Sequence, residues 1–271
     1  MINWILQKNL TKPEVLERIK SALTGPDEMW EEVEVVPFSN EVPEISHRAS
    51  RNIVYGSTTF MLNAYQDKDL RAGVFFDPRK FRMSHYVSQW GKEMLNADGT
   101  LLAFDRIREL NSTPETNWFI RPDSDGKEFA GKVLSYAELV NWSEQICALD
   151  LPDLNADTEV WISPPKTIDK EWRLFIVDDE IVSVSRYMHR GELDESATDQ
   201  PPELLQFARA RIDAYRLDDV YVMDIARLGN AYKLIECNCF NGTGFYRHDV
   251  EQVIRSVNRF LRKKINEPQN N

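Results

Sequence analysis

Cysteine is scarce in this sequence, which limits the disulfide and metal chemistry open to it. Three cysteines occur among 271 residues, and two of them, Cys237 and Cys239, lie two apart in a strand-like stretch. Because these two and Cys147 cannot all pair with one another, we predict reduced thiols instead of a disulfide framework. A Cys-x-Cys pair can bind zinc, but no second Cys or His pair stands at zinc-finger spacing. We therefore favour a structural role for the cysteines.

Long apolar runs and an excess of positive charge are also missing. No stretch approaches the roughly 18 consecutive apolar residues that span a bilayer. The first 20 residues become charged too early for a secretory signal, so we expect a cytoplasmic protein without a membrane partner. Lysine and arginine number 33 against 44 acidic residues, a net charge of -11. This charge argues against general affinity for nucleic acids, because neutralising their phosphates requires a basic surface.

The residues that are present predict an α/β beginning to the chain. With 42% apolar and 11% aromatic residues, the chain can bury one large core or two small ones. Residues 2–6, 12–23 and 33–38 predict a β-α-β start, and residues 52–65 repeat the strand–turn–helix pattern with a Ser or Thr N-cap. Gly56, Ser57 and Thr58 at that turn could bind an anion or form a plain turn, since no Walker lysine follows.

The second half of the chain predicts a mostly antiparallel lobe. Short strands are separated by polar turns and followed by helix 202–214 and a final helix 249–264. The acidic stretch 178–180 reads as a hairpin turn. Together with the first half, this pattern predicts an α+β fold with an α/β N-terminal part. The predicted strands comprise residues 118–121, 133–134, 159–163, 172–177, 181–187, 219–226 and 232–240.

Two late strands carry candidate metal ligands. Alternation puts Glu236 and Asn238 on one face of their strand, and a three-residue loop at 229–231 would place Asp224 across from Glu236. Facing carboxylates repel unless a cation or shared proton offsets them. Mg²⁺ commonly takes one or two carboxylates, with phosphates and waters completing its shell. The alternative is a solvated strand face, and a different loop register would turn Asp224 to the opposite side.

Candidate nucleotide contacts lie upstream of these strands. Arg121 precedes a polar loop, residues 123–131, that contains Lys127, and both cations suit phosphate oxygens. The backbone at Val160 and Ile162 could pair with an adenine edge if this strand end is unpaired. An ordinary exposed hairpin is the alternative for the loop.

Glu171 and Arg173 share a strand face, which offers one acceptor for ribose hydroxyls and one donor for a transferring phosphoryl group. A surface ion pair fits the same two residues.

In this order, these features resemble the ATP-grasp superfamily, and in particular its phage- and bacteria-associated clade that uses one arginine and two lysines. The resemblance covers residues 118–247, and residues 56–58 and 75–78 are similar to the N-terminal part of that clade. It implies two α+β lobes that clasp ATP after a small β-α-β domain. The implied boundaries are 1–105 for the N-terminal domain and 106–271 for the ATP-grasp region, with lobes at 118–165 and 166–265.

The resemblance also implies roles for the candidate residues. Asp224, Glu236 and Asn238 become Mg²⁺ ligands, and Arg173 stabilises the phosphoryl group in transit. Asn241 and Thr243 lie in a loop that faces the acceptor substrate.

For ATP, the resemblance assigns Arg121 to the phosphates with Lys127 and Lys166 as companions, and Glu171 to the ribose. The loop is acidic and poor in glycine compared with many relatives, so Lys132 and Lys170 compete with Lys166 for the second lysine position.

The implied activity is an ATP- and Mg²⁺-dependent ligation of a carboxylate to an amine through an acylphosphate, on an amino acid, another small molecule or a peptide. One alternative is a non-catalytic ATP-binding assembly or chaperone-like protein on the same scaffold. Another is a kinase-like transfer to a hydroxyl, which needs a base near the acceptor. His189 and His248 are weak candidates for that base.

Overall fold

The computed structural model describes residues 1–266 except 37, 38, 40, 48, 50, 127 and 150. Within this described part, the strands form three sheets and the chain divides into two compact units. The first unit comprises residues 1–76, 170–225 and 237–271, and the second comprises residues 77–169 and 226–236. No helix in the described part of the chain is both long and apolar enough to cross a bilayer.

The first unit begins with a parallel three-stranded sheet. Its strands β1 (Ile2–Gln7), β2 (Glu28–Val33) and β3 (Arg51–Tyr55) lie in the order β2-β1-β3. Helix α1 (Pro13–Ala22) connects β1 to β2, which confirms the predicted β-α-β start, although β2 lies earlier than residues 33–38. After β3, the Ser57 hydroxyl caps helix α2 (Thr58–Gln66) by accepting from the Phe60 N–H.

The second unit contains α3 (Met83–Trp90), β4 (Thr100–Ala103), β5 (Asn117–Pro122), β6 (Lys132–Ser135), α4 (Tyr136–Leu149) and β7 (Glu159–Ser163). The strands form an antiparallel sheet of order β4-β7-β5-β6. Its strands pack against helix α4, which the sequence pattern did not predict. Because β4 pairs with β7, the stretch before residue 105 belongs to this unit, and the boundary expected there does not separate two units.

The chain then forms strands β8 (Lys170–Val177), β9 (Glu180–His189), β10 (Glu192–Ser196), β11 (Val220–Leu228) and β12 (Ala231–Cys239). They make a five-stranded sheet of order β10-β9-β8-β11-β12, which carries the candidate residues Glu171, Arg173, Asp224, Glu236 and Asn238. The tight turn between β8 and β9 holds Asp178 and Asp179 at φ of 50° and 65°, a left-handed conformation that Asp tolerates. The predicted hairpin is therefore confirmed. Helix α5 (Pro202–Ala214) connects β10 to β11, and helix α6 (Val250–Asn266) follows β12 in the chain.

The loop between β11 and β12 differs from the prediction. Two residues, Gly229 and Asn230, join the strands, so the predicted three-residue loop is wrong by one residue. Gly229 adopts a φ of 57°, which glycine reaches without steric cost.

The core of the first unit forms where the parallel sheet, α1 and α6 meet strands β8 and β11. Phe240, which follows β12, is fully buried there and contacts the rings of Trp4, Tyr55 and Phe175. This packing ties the end of β12 to the N-terminal sheet, so the residues after Phe240 start from a fixed point.

Candidate active site

Arg173 and Asp224 form a buried ion pair in the first unit. The Arg173 Nε donates to Asp224 Oδ1 at 2.9 Å, and its Nη2 donates to Oδ2 at 2.6 Å, which is the two-pronged geometry of a strong charge-assisted pair. Asp224 is 1% exposed. Burial by itself would lower the pKa of Arg173, but the charge and hydrogen bonds of Asp224 outweigh it and raise the pKa above its ordinary value. Arg173 is therefore a permanent cation held in one orientation.

Two tyrosines that sequence reasoning missed complete the surroundings of Arg173. The rings of Tyr187 and Tyr246 stack with centroids 4.8 Å apart, and the Arg173 guanidinium lies 5.7 Å and 5.1 Å from their centroids. The Tyr187 hydroxyl donates to Glu171 at 2.6 Å, and burial raises the pKa of Tyr187 well above its ordinary value. Glu171, Tyr187, Arg173 and Asp224 thus form one connected polar chain.

Asn238 and Thr243 extend this network. The Asn238 Nδ2 donates to Asp224 Oδ2 at 3.1 Å, so these two predicted metal ligands lie side by side despite the shorter loop. The Arg173 Nη1 donates to Thr243 Oγ1 at 3.0 Å, while the Thr243 carbonyl accepts from the Tyr55 hydroxyl at 2.7 Å. The loop after β12 is therefore attached to the buried ion pair.

Asn241 has a different position from the one expected. Its side chain is fully buried. Its amide nitrogen donates to the carbonyls of Val54 and Gly73, and its amide oxygen accepts from the Phe75 N–H at 2.8 Å. The expected contact with substrate is thus corrected, because these bonds turn the amide into the protein interior. Asn241 holds the loop in place instead.

A pocket of about 580 Å³ opens beside Arg173 within the first unit. The start of α2 and residues 242–246 form two of its walls, and Arg173, Thr243 and Tyr246 contribute polar or charged side chains. Gly242 lies against the start of α2, since a Cβ built on it would sit 3.7 Å from the Thr58 backbone nitrogen. A cation in a pocket of this size can bind and orient a small anionic group.

The second unit contains a separate ion pair, between Arg121 and Glu236. Their side chains approach to 2.7 Å and are 13% and 24% exposed. Burial by itself would lower the pKa of Arg121, but Glu236 outweighs it and raises the pKa, with help from Tyr86 and Asp125. Across the described residues, no three or more His, Cys, Asp or Glu side chains gather into a metal-binding group. The predicted metal set contains only two acids, Asp224 and Glu236, and each has an arginine partner.

Val160 and Ile162 do not form the unpaired strand end that we expected. Strand β7 lies inside its sheet, where β4 covers one edge and β5 covers the other. Val160 is fully buried and Ile162 is 1% exposed. The expected adenine contact at these residues is corrected, because residues 100–103 supply an additional strand that pairs with β7.

The described candidate lysines have partners different from those of Arg121 and Arg173. Lys127 is outside the described residues. Lys166 pairs with Asp98 at 2.5 Å, and Lys170 pairs with Asp199 at 2.7 Å. The Lys132 ammonium lies 3.4 Å from the ring centroid of Trp142. These contacts do not identify which lysine is the second phosphate ligand.

The two histidines considered as bases differ in exposure. His248 is 1% exposed, its Nδ1 lies 2.9 Å from the Ser183 hydroxyl, and burial, with a smaller effect of Arg173, lowers its pKa to about 3. His189 is partly exposed and 3.5 Å from Asp194. A buried, neutral His248 is a poor base for an incoming hydroxyl.

Solved structures of similar fold have distant sequences. D-alanine–D-alanine ligase from Bacillus anthracis matches with a TM-score of 0.55 and 14% identity, covering 97% of this chain and 99% of that one. The RimK domain protein ATP-grasp from Sphaerobacter thermophilus DSM 20745 matches with a TM-score of 0.62 and 11% identity, covering 94% of this chain and 99% of that one. The macrocyclase MdnC from Microcystis aeruginosa MRC, bound with precursor peptide MdnA, matches with a TM-score of 0.58 and 11% identity, covering 97% of this chain and 100% of that one. These likenesses establish an ATP-grasp fold, as expected.

Sequence comparison assigns the family. None of the curated proteins compared with the chain is similar enough to count as a match. The family model that matches is an ATP-grasp domain, family 3 of the clade named for its one arginine and two lysines. It matches residues 79–257, which is more than half of the chain and includes both buried ion pairs. The predicted superfamily is confirmed, and the chain belongs to this clade of the ATP-grasp proteins.

Proposed function

We propose that this protein is an ATP- and Mg²⁺-dependent ligase that joins a carboxylate to an amine through an acylphosphate. The observation that carries the proposal is Arg173, a buried cation fixed by Asp224, Thr243 and two tyrosines at the edge of a pocket. A carboxylate must approach an anionic phosphate in such a reaction, and a preorganised cation lowers the cost of that approach.

The proposed reaction has two steps. An oxygen of the donor carboxylate attacks the γ-phosphorus of ATP, the bond to the β,γ-bridging oxygen breaks, and ADP leaves. The amine nitrogen then attacks the acyl carbon, the carbon–oxygen bond to phosphate breaks, and the nitrogen loses a proton. Arg173 acts in the first step by holding the γ-phosphoryl oxygens and the incoming carboxylate together, and Thr243 keeps the guanidinium turned toward the pocket.

Asp224, Glu236 and Asn238 are the proposed metal ligands. The donor set is oxygen-rich, as Mg²⁺ requires, and Glu236 and Asn238 stand two apart on β12, so their side chains leave the same face. The hydrogen bond from Asn238 Nδ2 to Asp224 keeps those two side chains adjacent. Bound Mg²⁺ would neutralise phosphate charge and orient the β- and γ-phosphates.

Arg121 is the proposed phosphate ligand of the second unit. Its present partner, Glu236, is a proposed metal ligand, so one rearrangement serves both roles. If Glu236 held the cation, the Arg121 guanidinium would be available to the phosphate oxygens, which it could bind with two parallel donors. Lys127 and Lys166 are proposed to assist it, and Glu171 is proposed to accept from the ribose.

The similar proteins support this choice of reaction class. Those named above are ligases or ATP-grasp proteins, and the D-alanine–D-alanine ligase from Bacillus anthracis also has a structure complexed with ATP. MdnC is a macrocyclase bound with a precursor peptide. For this chain, we accordingly propose ATP, a carboxylate on a small molecule or peptide, and an amine acceptor.

A direct test incubates the purified protein with Mg²⁺, ATP and pools of amino acids or peptides. ADP release that depends on a pool, together with a product lighter than its two substrates by one water in mass spectrometry, would support the ligase. Arg173→Lys should lose most of this turnover while it retains charge. Tight ATP binding without pool-dependent turnover would instead favour the non-catalytic scaffold.

A further inference from the structure

The pocket beside Arg173 has apolar walls as well as a charged one. Val15 and Phe245 form buried apolar surface in it, and Leu10 and Leu193 lie at its exposed edge. Leu10 is 60% exposed and Leu193 is 68% exposed, which places both among the most exposed large apolar side chains of the described chain. A single exposed leucine is ordinary, but two that line one pocket form a local apolar surface.

The charged side chains that line the pocket include more cations than acids. Arg173 and Lys12 are its cations, and Glu195 is its acid. Arg173 is paired with Asp224 at 2.6 Å and Glu195 with Arg247 at 3.3 Å, so both charges are partly offset, and the Lys12 ammonium adds a second positive charge to the lining. A carboxylate therefore fits near Arg173, while the Glu195 oxygens suit the N–H of an amide.

The size of the pocket agrees with a ligand larger than a simple acid. A volume of about 580 Å³ lies within the range of roughly 300–1000 Å³ that is usual for small-molecule sites. A short polar acid would leave the leucines in water, whereas an apolar side chain next to the carboxylate would cover them.

We propose that the acyl donor is the carboxylate end of a peptide or N-acylated amino acid with an apolar side chain. This inference rests on the proposed ligase function and specifies its substrate class. The carboxylate binds near Arg173, the preceding amide N–H donates to Glu195, and the apolar side chain packs against Leu10, Leu193 and Phe245. Selectivity comes from the apolar contact, because polar and apolar donors carry the same charge.

The test uses hydroxylamine as the amine, so that the natural acceptor need not be known. An acylphosphate reacts with hydroxylamine when the nitrogen attacks the acyl carbon, phosphate leaves, and a hydroxamate forms. Hydroxamate and ADP are measured with ATP, Mg²⁺ and four donors of equal charge. These donors are N-acetyl-leucine, N-acetyl-serine and the dipeptide acids N-acetyl-Ala-Leu and N-acetyl-Ala-Ser. The expected result is a kcat/KM that is at least tenfold higher for the leucine member of each pair.

Matched variants connect the preference to the pocket. Leu193→Ser and Leu10→Ser should each reduce the leucine-over-serine ratio by about tenfold through KM, a typical loss for one apolar contact. Leu149→Ser is the control, because Leu149 is 62% exposed but belongs to the second unit. It should leave the ratio unchanged. Equal rates for both members of each pair, or ratios that the pocket variants do not alter, would overturn the proposal.

Failure of the ligase function is distinguishable from failure of this proposal. If no donor yields ADP or hydroxamate, the proposed activity is wrong, and equilibrium binding of N-acetyl-Ala-Leu by calorimetry then tests the pocket alone. Binding that Leu193→Ser weakens and Leu149→Ser does not would support the assignment. Absence of binding would overturn it.

Discussion

Removal of Asp224 tests the central ion pair most directly. In Asp224→Ala, the Arg173 guanidinium loses both prongs of its carboxylate partner while its side chain remains only 11% exposed. An unpaired buried charge typically costs about 3–5 kcal/mol of unfolding free energy. Since domains of ordinary stability have about 5–15 kcal/mol, we expect a folded but strongly destabilised protein. Asp224→Asn, which keeps the volume and one acceptor, should lose less.

A double variant that removes both charges separates the effect of the charge from that of the packing. In Arg173→Met combined with Asp224→Leu, no charge stays buried, and replacement of a whole buried pair by apolar residues is often neutral or stabilising. We expect this double variant to recover most of the free energy that Asp224→Ala loses, and to show no turnover. Urea unfolding followed by tryptophan fluorescence gives the free energies, and ADP release gives the activity.

An exposed pair of the same geometry supplies the control for this comparison. Arg106 and Glu109 also form a two-pronged pair, at 2.8 Å and 2.7 Å, but both side chains are more than half exposed. Glu109→Ala should change stability little, because solvent screens exposed pairs. The reasoning about burial would be refuted if Asp224→Ala cost no more than Glu109→Ala, or if the double variant were as unstable as Asp224→Ala.

Three further predictions concern other residues. Glu236→Gln should lower Mg²⁺-dependent ADP release by about 100-fold or more with an unchanged circular dichroism spectrum; unchanged turnover would contradict its role as a ligand. Because burial lowers the pKa of His248 from 6.5 to about 3, its contribution to stability is present above pH 6.5 and is lost as the pH falls toward 3. Linkage gives a loss of about 2–3 kcal/mol of unfolding free energy between pH 7.5 and 4.5. His248→Gln should not show this loss when urea unfolding is measured at both pH values. Asn241→Ala should cost at least about 3 kcal/mol, since it leaves three buried backbone groups without their partner; a loss below 1 kcal/mol would contradict its structural role.

Local chemistry made much of the fold predictable. Strand β7 has the predicted bounds of residues 159–163, and helix α5 has those of 202–214, because two prolines follow the strand and prolines begin the helix. Helix α4 escaped prediction because its fully buried stripe of Leu139, Ser143 and Ile146 has a polar residue in the middle. Its apolar residues on other faces are only partly buried, so the period of 3.6 is weak in the sequence.

The contacts of the candidate site were less predictable than its residues. Arg173 and Asp224 were singled out by type and order, yet they lie 51 positions apart along the chain, and Thr243, which accepts from Arg173, lies 70 positions from it. Tyr187 and Tyr246 carry no local signal, since an aromatic in a strand or loop is usually a packing residue. The pairing of β4 with β7, which corrected the assignment of Val160, is equally non-local.

The two ion pairs resolve the problem that acidic residues on neighbouring strands create. Two carboxylates that faced each other would destabilise the fold unless a cation offset them. In this chain, Asp224 is compensated by Arg173 and Glu236 by Arg121, each within its own unit. The compensation is unequal, because the two-pronged pair of Asp224 is more deeply buried than the pair of Glu236. Exchange of partners should therefore begin at Glu236, which makes that residue the responsive part of the proposed metal site and Asp224 its fixed part.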